Sequence, residues 1–322
     1  MKLKHDPFPW LFAKADETTQ LAGLALFGLG DSPPGRACQE AIRAGQRPDG
    51  AFPSRIDPAH WGMLETARHP LILLDAGLPP DDALVSGAVH FILDHQNPDG
   101  GWCENPALEI PLQMTWMSNE HTITWLTADM VELLRSVGRE GQPPCQAAVA
   151  QLRAMQNRQG GWPSVARDTA GQEDDLGDPD ATAQITFLLG EIYGEEDPAY
   201  RKGRELFERH LDEWAQDVER GYWIRRRDGQ EQALDVYTLT QLLLSSLVDA
   251  PRRLHSGYDV GDPRVARAMA KLVEIQREDG GWRPFFSEES SPLYTVLAVK
   301  VLVLSGAIPR QDLVGIVKPY AC

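Results

Sequence analysis

The 322-residue chain has no excess of positive charge: 31 Lys and Arg stand against 47 Asp and Glu, a net charge of −16. Binding a phosphate backbone needs a basic stripe, so no nucleic-acid partner is expected. Cysteine is scarce, with Cys38, Cys103, Cys145 and Cys322 scattered and no CxxC pair. This pattern argues against a disulfide framework or a zinc cluster and suits reduced thiols. No apolar run approaches the roughly 18 residues of a membrane span. The N-terminal stretch MKLKHDPFPWLFAKADETT breaks with charges and prolines the apolar core that a signal peptide needs. A soluble, cytoplasmic protein with no transmembrane segment is the expectation. Strand signals are also few, since Val and Ile recur at three-to-four spacing instead of alternating with polar residues.

What the chain does have is a phrase that returns. Gln96 to Trp102 reads QNPDGGW, Gln156 to Trp162 reads QNRQGGW, and Gln276 to Trp282 reads QREDGGW. Worn copies, QRPDGAF and QDVERGY, open at Gln46 and Gln216. The five glutamines are therefore separated by 50, 60, 60 and 60 residues. A fixed period of this kind marks one supersecondary unit that buries its apolar face only by stacking on its neighbours.

Between the phrases, helical periodicity predicts six helical hairpins. Their first members run from Glu17 to Gly30, His60 to Gly77, His121 to Gly138, Asp180 to Gly194, Asp235 to Ala250 and Leu293 to Gly306. Their partners, such as Cys145 to Gln156 and Pro263 to Gln276, are more charged and read as an outer, solvated layer. The expected fold is all-α, a single domain over residues 1–322 with six inner and six outer helices and a short aromatic segment over residues 1–15. In each phrase the Gln is expected to end an outer helix. The Gly-Gly pair would permit a tight reversal, and the Trp would fold over the helix ends to meet the Gln amide. Asp16, Asp57, Asn119, Asp235 and Ser291 are expected as N-caps of inner helices, with Asp180 open to the same reading.

The QxxDGGW phrase at the hairpin junctions of an all-α repeat resembles the squalene-cyclase and protein-prenyltransferase superfamily, whose domains are (α/α)6 toroids. The likeness covers nearly the whole chain. The prenyltransferase branch binds zinc through a DxC sequence and a His. Here Asp235 is followed by Tyr237 where the Cys would stand, and Leu293 and Tyr294 occupy the place of the His. Without thiolate and imidazole that metal site is lost, and no metal is expected.

The terpene-cyclase branch carries DxDDTA, whose central Asp protonates an alkene. The fourth hairpin here opens DPDATAQ from Asp178 to Gln184. The resemblance places Asp180 on the proton donor and Asp178 on the leading Asp, while Ala181 departs from the third. His121, which opens the third hairpin, is a candidate partner of the acid. Trp61, Trp125, Phe187, Tyr237 and Tyr294 are candidates to face a carbocation. Each has a plainer reading: Asp180 as a cap, His121 as a satisfied polar group, the aromatics as core. The acidic stretch EDDLGD, Glu173 to Asp178, is a candidate for Mg²⁺ only if the substrate is a diphosphate. Arg225, Arg226 and Arg227 are candidates to grip such a group, or simply balance neighbouring acids.

A class II-type isoprenoid cyclase acting on an apolar, isoprenoid-like molecule is thus the leading expectation. A noncatalytic lipid-binding or protein-interaction module is the alternative. A sugar enzyme on a similar barrel would need two carboxylates about 5 to 10 Å apart. The resembled cyclases add a second helical domain, for which this chain has no residues. A homodimer, a partner, a membrane surface or the Phe8 to Phe12 segment would then have to close the cavity.

Overall fold

The computed structural model describes residues 1–166, 177–224, 231–240, 242–243, 255, 258–284 and 286–321. Among them α1 (Phe8–Lys14) is followed by α2 (Glu17–Leu26) and α3 (Pro33–Gly45), then α4 (Met63–Asp75) and α5 (Ala83–Asp94). Next come α6 (Thr124–Ser136) with α7 (Pro143–Ala154), and α8 (Pro179–Tyr193) with α9 (Pro198–Arg220). The last pairs are α10 (Val236–Thr240) with α11 (Pro263–Glu274) and α12 (Pro292–Leu304) with α13 (Arg310–Val317). The all-α expectation holds. The strands are two short antiparallel ladders, β1 (Phe52–Pro53) with β2 (Trp61–Gly62) and β3 (Tyr222–Ile224) with β4 (Glu231–Ala233). Each begins at the aromatic residue of a worn phrase. No helix among the described residues is long and apolar enough to cross a membrane.

The chain divides into two compact units, one of Ala41–Leu74 and Leu78–Phe207, the other of Met1–Glu40, Asp75–Gly77 and Glu208–Cys322. In the first, α6 is buried at every residue from Thr124 to Leu134, and α8 from Ala181 to Leu189. A helix buried all round is an interior element. Its companion α7 buries only Cys145, Ala148, Val149 and Leu152, a single stripe at helical spacing. The second unit repeats the contrast. There α12 is buried from Thr295 to Leu302, whereas α11 buries Val265, Ala268, Met269 and Leu272.

The recurrent phrase is mechanical, though not in the expected way. The Gln amide does not meet the Trp; it bridges backbone carbonyls. Gln96 Nε2 donates to Gly100 O at 2.7 Å and to Pro144 O, in the first turn of α7, at 2.8 Å. Gln46 and Gln156 repeat this with Leu84 O of α5 and Ala199 O of α9. Gln276 uses His5 O at 2.9 Å and also accepts from Lys4 N and His5 N. The N-terminal stretch therefore fills the place that an outer helix fills elsewhere, and Phe8 and Leu11 are buried behind it. Gln216 departs from the pattern because DVER follows it in place of a turn sequence. There α9 continues to Arg220, which donates to Gln216.

Each Trp then fixes the start of the next interior helix. The Trp102, Trp162 and Trp282 indoles donate to Ile92 O, Leu152 O and Leu272 O, ten residues earlier. Their backbone N–H groups donate to Thr127, Thr182 and Thr295 Oγ1. Their carbonyls accept from Ile123 N, Asp178 N and Ser291 N, the residues just before α6, α8 and α12. The turn behind this clamp needs glycine. Gly100 sits at φ 94°, and a Cβ there would lie 2.7 Å from Ala147 O.

Two expected caps are replaced. Asn119 lies ahead of Ile123, the true cap residue of α6. At α4 the preceding residue is Gly62, which has no side chain, so Asp57 is not the cap. Buried Glu104 supplies it from the connection after Trp102, accepting from Met63 N at 2.8 Å and Leu64 N at 2.9 Å. Burial raises the Glu104 pKa above the ordinary carboxylate value despite these hydrogen bonds.

Gln276→Ala removes four hydrogen bonds and is expected to lower the unfolding free energy by about 2 kcal/mol or more in urea denaturation. A loss below about 0.5 kcal/mol would show that the N-terminal stretch is held by its apolar contacts instead. A second expectation follows from Glu104, whose folded form binds its proton more tightly than the unfolded chain does. Its contribution is full below the unfolded pKa and is lost as pH rises through the folded one. The stability difference between wild type and Glu104→Gln should therefore shrink as pH rises from about 4. A difference that grows would mean that the two hydrogen bonds outweigh burial.

Candidate functional site

The opening of α8 is fixed by Asp178, not Asp180. Asp178 Oδ1 accepts from Asp180 N and Ala181 N at 3.0 Å, and its Oδ2 accepts from Ser164 Oγ at 2.5 Å. With Pro179 at the first helical position, this is a complete N-cap. Asp180 stands one residue further in. It is half-buried, with Oδ1 shielded from solvent. Thr182, which matches the cyclase motif, has a plain role: it takes the Trp162 N–H as Thr127 and Thr295 take theirs.

The repeat register makes Asp180 stand out. The second residues of α2, α4, α6, α8, α10 and α12 are Thr18, Leu64, Trp125, Asp180, Tyr237 and Leu293. Only one of the six is a carboxylic acid, so the fold places no demand for an acid there. By contrast, Asp16, Asp178 and Asp235 all occupy the cap position. Asp235 is buried and accepts from Thr238 N at 2.8 Å, and burial raises its pKa.

The interior of the first unit is not uniformly apolar: it buries Glu65 and Arg68 on α4, Asp129 and Glu132 on α6, and Gln184 on α8. Gln184 Nε2 donates to Asp129 Oδ1 at 2.7 Å. The signal was present in the sequence: charged residues three apart, Glu65 with Arg68 and Asp129 with Glu132, within largely apolar helices. Of the aromatic candidates in this unit, Trp125 is buried and donates to Trp116 O at 3.1 Å. Trp61 is half-buried, edge-on to Phe91 and His95 with centroids 5.2 and 5.1 Å away. Phe187 is edge-on to Phe207 at 5.1 Å, and the Arg204 guanidinium lies over its ring at 5.4 Å.

Tyr237 and Tyr294 belong to the other unit, where Phe286 meets the edge of Tyr294 at 6.0 Å. His121 is exposed, two residues ahead of the α6 cap, and its backbone N–H donates to Ser118 Oγ. Arg225, Arg226 and Arg227 lie outside the described residues, as do Glu173 to Leu176 of the acidic stretch. Among the described residues no group of three or more His, Cys, Asp or Glu side chains is arranged to hold a metal ion.

The sequence model of the squalene-hopene cyclase C-terminal domain matches residues 15–186, more than half of the chain, and includes Asp178 to Ala183. The chain belongs to this family. Among solved structures it is similar to the type II terpene cyclase MstE from Scytonema, with a TM-score of 0.56 and 16% identity over 92% of this chain and 89% of that one. It is also similar to a protein from Actinoplanes, with a TM-score of 0.54 and 17% identity over 89% and 90% of the two chains. A variant of MstE in complex with geranylgeranyl dihydroxybenzoate, its substrate, is matched at a TM-score of 0.55 and 16% identity over 91% of this chain and 88% of that one. At such identities these likenesses establish the fold alone. No curated protein matches the chain.

Because Asp178 alone caps α8, Asp178→Ala is expected to lower the unfolding free energy by about 1 kcal/mol, and Asp178→Asn by much less. Equal losses in chemical denaturation would mean that its charge, rather than its acceptor geometry, holds the helix start.

Proposed function

We propose that the protein is a class II-type isoprenoid cyclase in which Asp180 protonates an alkene of a polyprenyl chain. The observation that carries this reading is the position of Asp180: a carboxyl in the first turn of an interior helix, relieved of capping by Asp178. In the initiating step the Asp180 O–H bond breaks and its proton forms a C–H bond with one alkene carbon. The other carbon becomes cationic and the carboxylate keeps the electron pair. A neighbouring alkene then closes a ring onto the cation, and loss of a proton ends the sequence. Burial favours the neutral acid before transfer and limits capture of the cation by water.

Asp178 supports the acid by fixing the backbone of Asp180. Its ionised form, satisfied by Ser164 and two backbone N–H groups, also opposes a second negative charge beside it. Trp61, Trp125 and Phe187 are the aromatic candidates of the same unit to shape the chain. MstE, matched over 89% of its own length, supports a cyclase built on a chain of this span. Its substrate complex makes a geranylgeranyl chain the first to assay. No cofactor is needed for protonation, and Mg²⁺ would serve only a diphosphate head group. The alternative, a noncatalytic isoprenoid-binding module, is favoured by Ala181 in place of a third Asp and by the buried charges of α4 and α6.

The test is incubation with squalene, with geranyl, farnesyl and geranylgeranyl diphosphates, and with geranylgeranyl dihydroxybenzoate, each with and without Mg²⁺. Products are read by mass spectrometry. A cyclised product that falls by about 100-fold or more in Asp180→Asn is expected. Tight binding of a substrate without turnover by the folded wild type would establish the binding module instead.

A further inference from the structure

Asp180 and Gln184 are four residues apart on α8, so their side chains lie on one helix face, one turn above the other. Gln184 is buried, and its amide nitrogen is committed to Asp129 Oδ1 at 2.7 Å, from an equally buried residue of the neighbouring helix α6. An amide held in this way by a carboxylate cannot flip without setting two acceptors against each other. Its Oε1 is therefore fixed as an acceptor. An ionised Asp offers no donor, whereas a protonated Asp offers its O–H.

We propose that Asp129 is a positioning residue: through Gln184 it holds the Asp180 carboxyl in its protonated form, ready to transfer the proton. The inference rests on the proton-donor reading of Asp180. The fixed Gln184 Oε1 accepts from the protonated acid, an interaction that the ionised acid could not make. Other charged and titratable groups border α8. Glu132 and Arg135 share α6 with Asp129, and Arg135 pairs with Glu191 of α8 at 3.1 Å. Arg204 of α9 lies over Phe187, Tyr200 packs beside Gly190, and Asp178 is held in the cap by Ser164. Asp129 is singled out among them by its hydrogen bond to the residue one turn from Asp180.

The decisive measurement is a pH titration by NMR of protein carrying ¹³C-carboxyl aspartate, with the Asp180 signal assigned from its loss in Asp180→Asn. In wild type the Asp180 midpoint is expected above the ordinary carboxylate range. In Asp129→Asn and in Gln184→Met it should fall by roughly one pH unit or more. Asp129→Glu should recover part of the shift, which loss of packing alone would not do. Any cyclase activity needs the protonated acid, so it should be lost at correspondingly lower pH in the two variants. An unchanged midpoint in both would overturn the proposal. If Asp129→Asn fails to fold by circular dichroism, Gln184→Met alone decides it, because that variant breaks the bridge and keeps helix-forming bulk. Absence of product from wild type would reject the proton-donor reading, while the titration still decides whether Asp129 governs Asp180.

Discussion

The structure depends on a clamp at each full copy of the recurrent phrase. One Trp backbone unit donates to a threonine four residues into the next interior helix and accepts from the residue just before that helix. The connections spanned differ widely, from 9 steps between Trp282 and Ser291 to 21 between Trp102 and Ile123. The helix start is nevertheless set identically each time, because both bonds are backbone-anchored and the indole is pinned by a third bond ten residues back. All three groups are buried, and each left without a partner would cost about 1 to 3 kcal/mol. Connections of unequal length are thus tolerated without losing register.

That register decides what an interior helix can carry for purposes other than folding. The position before the helix and the position four residues in are committed to the clamp, and glutamine binds the next outer helix. The second helical residue takes no part in the clamp, and it varies among Thr18, Leu64, Trp125, Asp180, Tyr237 and Leu293. Sites grafted onto repeats arise where the repeat leaves freedom. In the proposed chemistry, Asp180 uses this position on a helix whose cap is also an acid.

The helical pairs were legible because apolar spacing and the glutamine phrases agree, and α4, α6, α8 and α12 begin within three residues of the expected starts. The caps were less legible. Asp57 and Asn119 are good cap residues next to helices, but the clamp, not local propensity, sets where α4 and α6 begin. Glu104, which does cap α4, is some forty residues away in sequence, and no local pattern points to it. The motif itself was misleading in one respect. Thr182 and Asp178 match a catalytic signature, yet both also satisfy structural demands of the repeat, leaving Asp180 as the part of the match that the fold does not explain. The bridge from Gln184 to Asp129 was hidden for a different reason: the two residues are 55 apart in sequence, and only packing brings their helices together.

The cap also constrains the kind of acid Asp180 can be. A carboxylate in the first turn of a helix is ordinarily strengthened as an acid by the exposed backbone N–H groups and the helix dipole. Here the N–H groups of Asp180 and Ala181 are taken by Asp178, and the Thr182 N–H is taken by Asp178 O. The backbone N–H groups that would strengthen the acid are thus already engaged, and on the proposed reading the drive for transfer comes from the product of the step. A new carboxylate and a new carbocation held about 4 Å apart at an effective dielectric near 20 attract by about 4 kcal/mol, far more than in water. On the proposed reading, such a site suits an electron-rich, trisubstituted alkene or an epoxide, whose cation forms readily beside the acid, better than a less basic double bond.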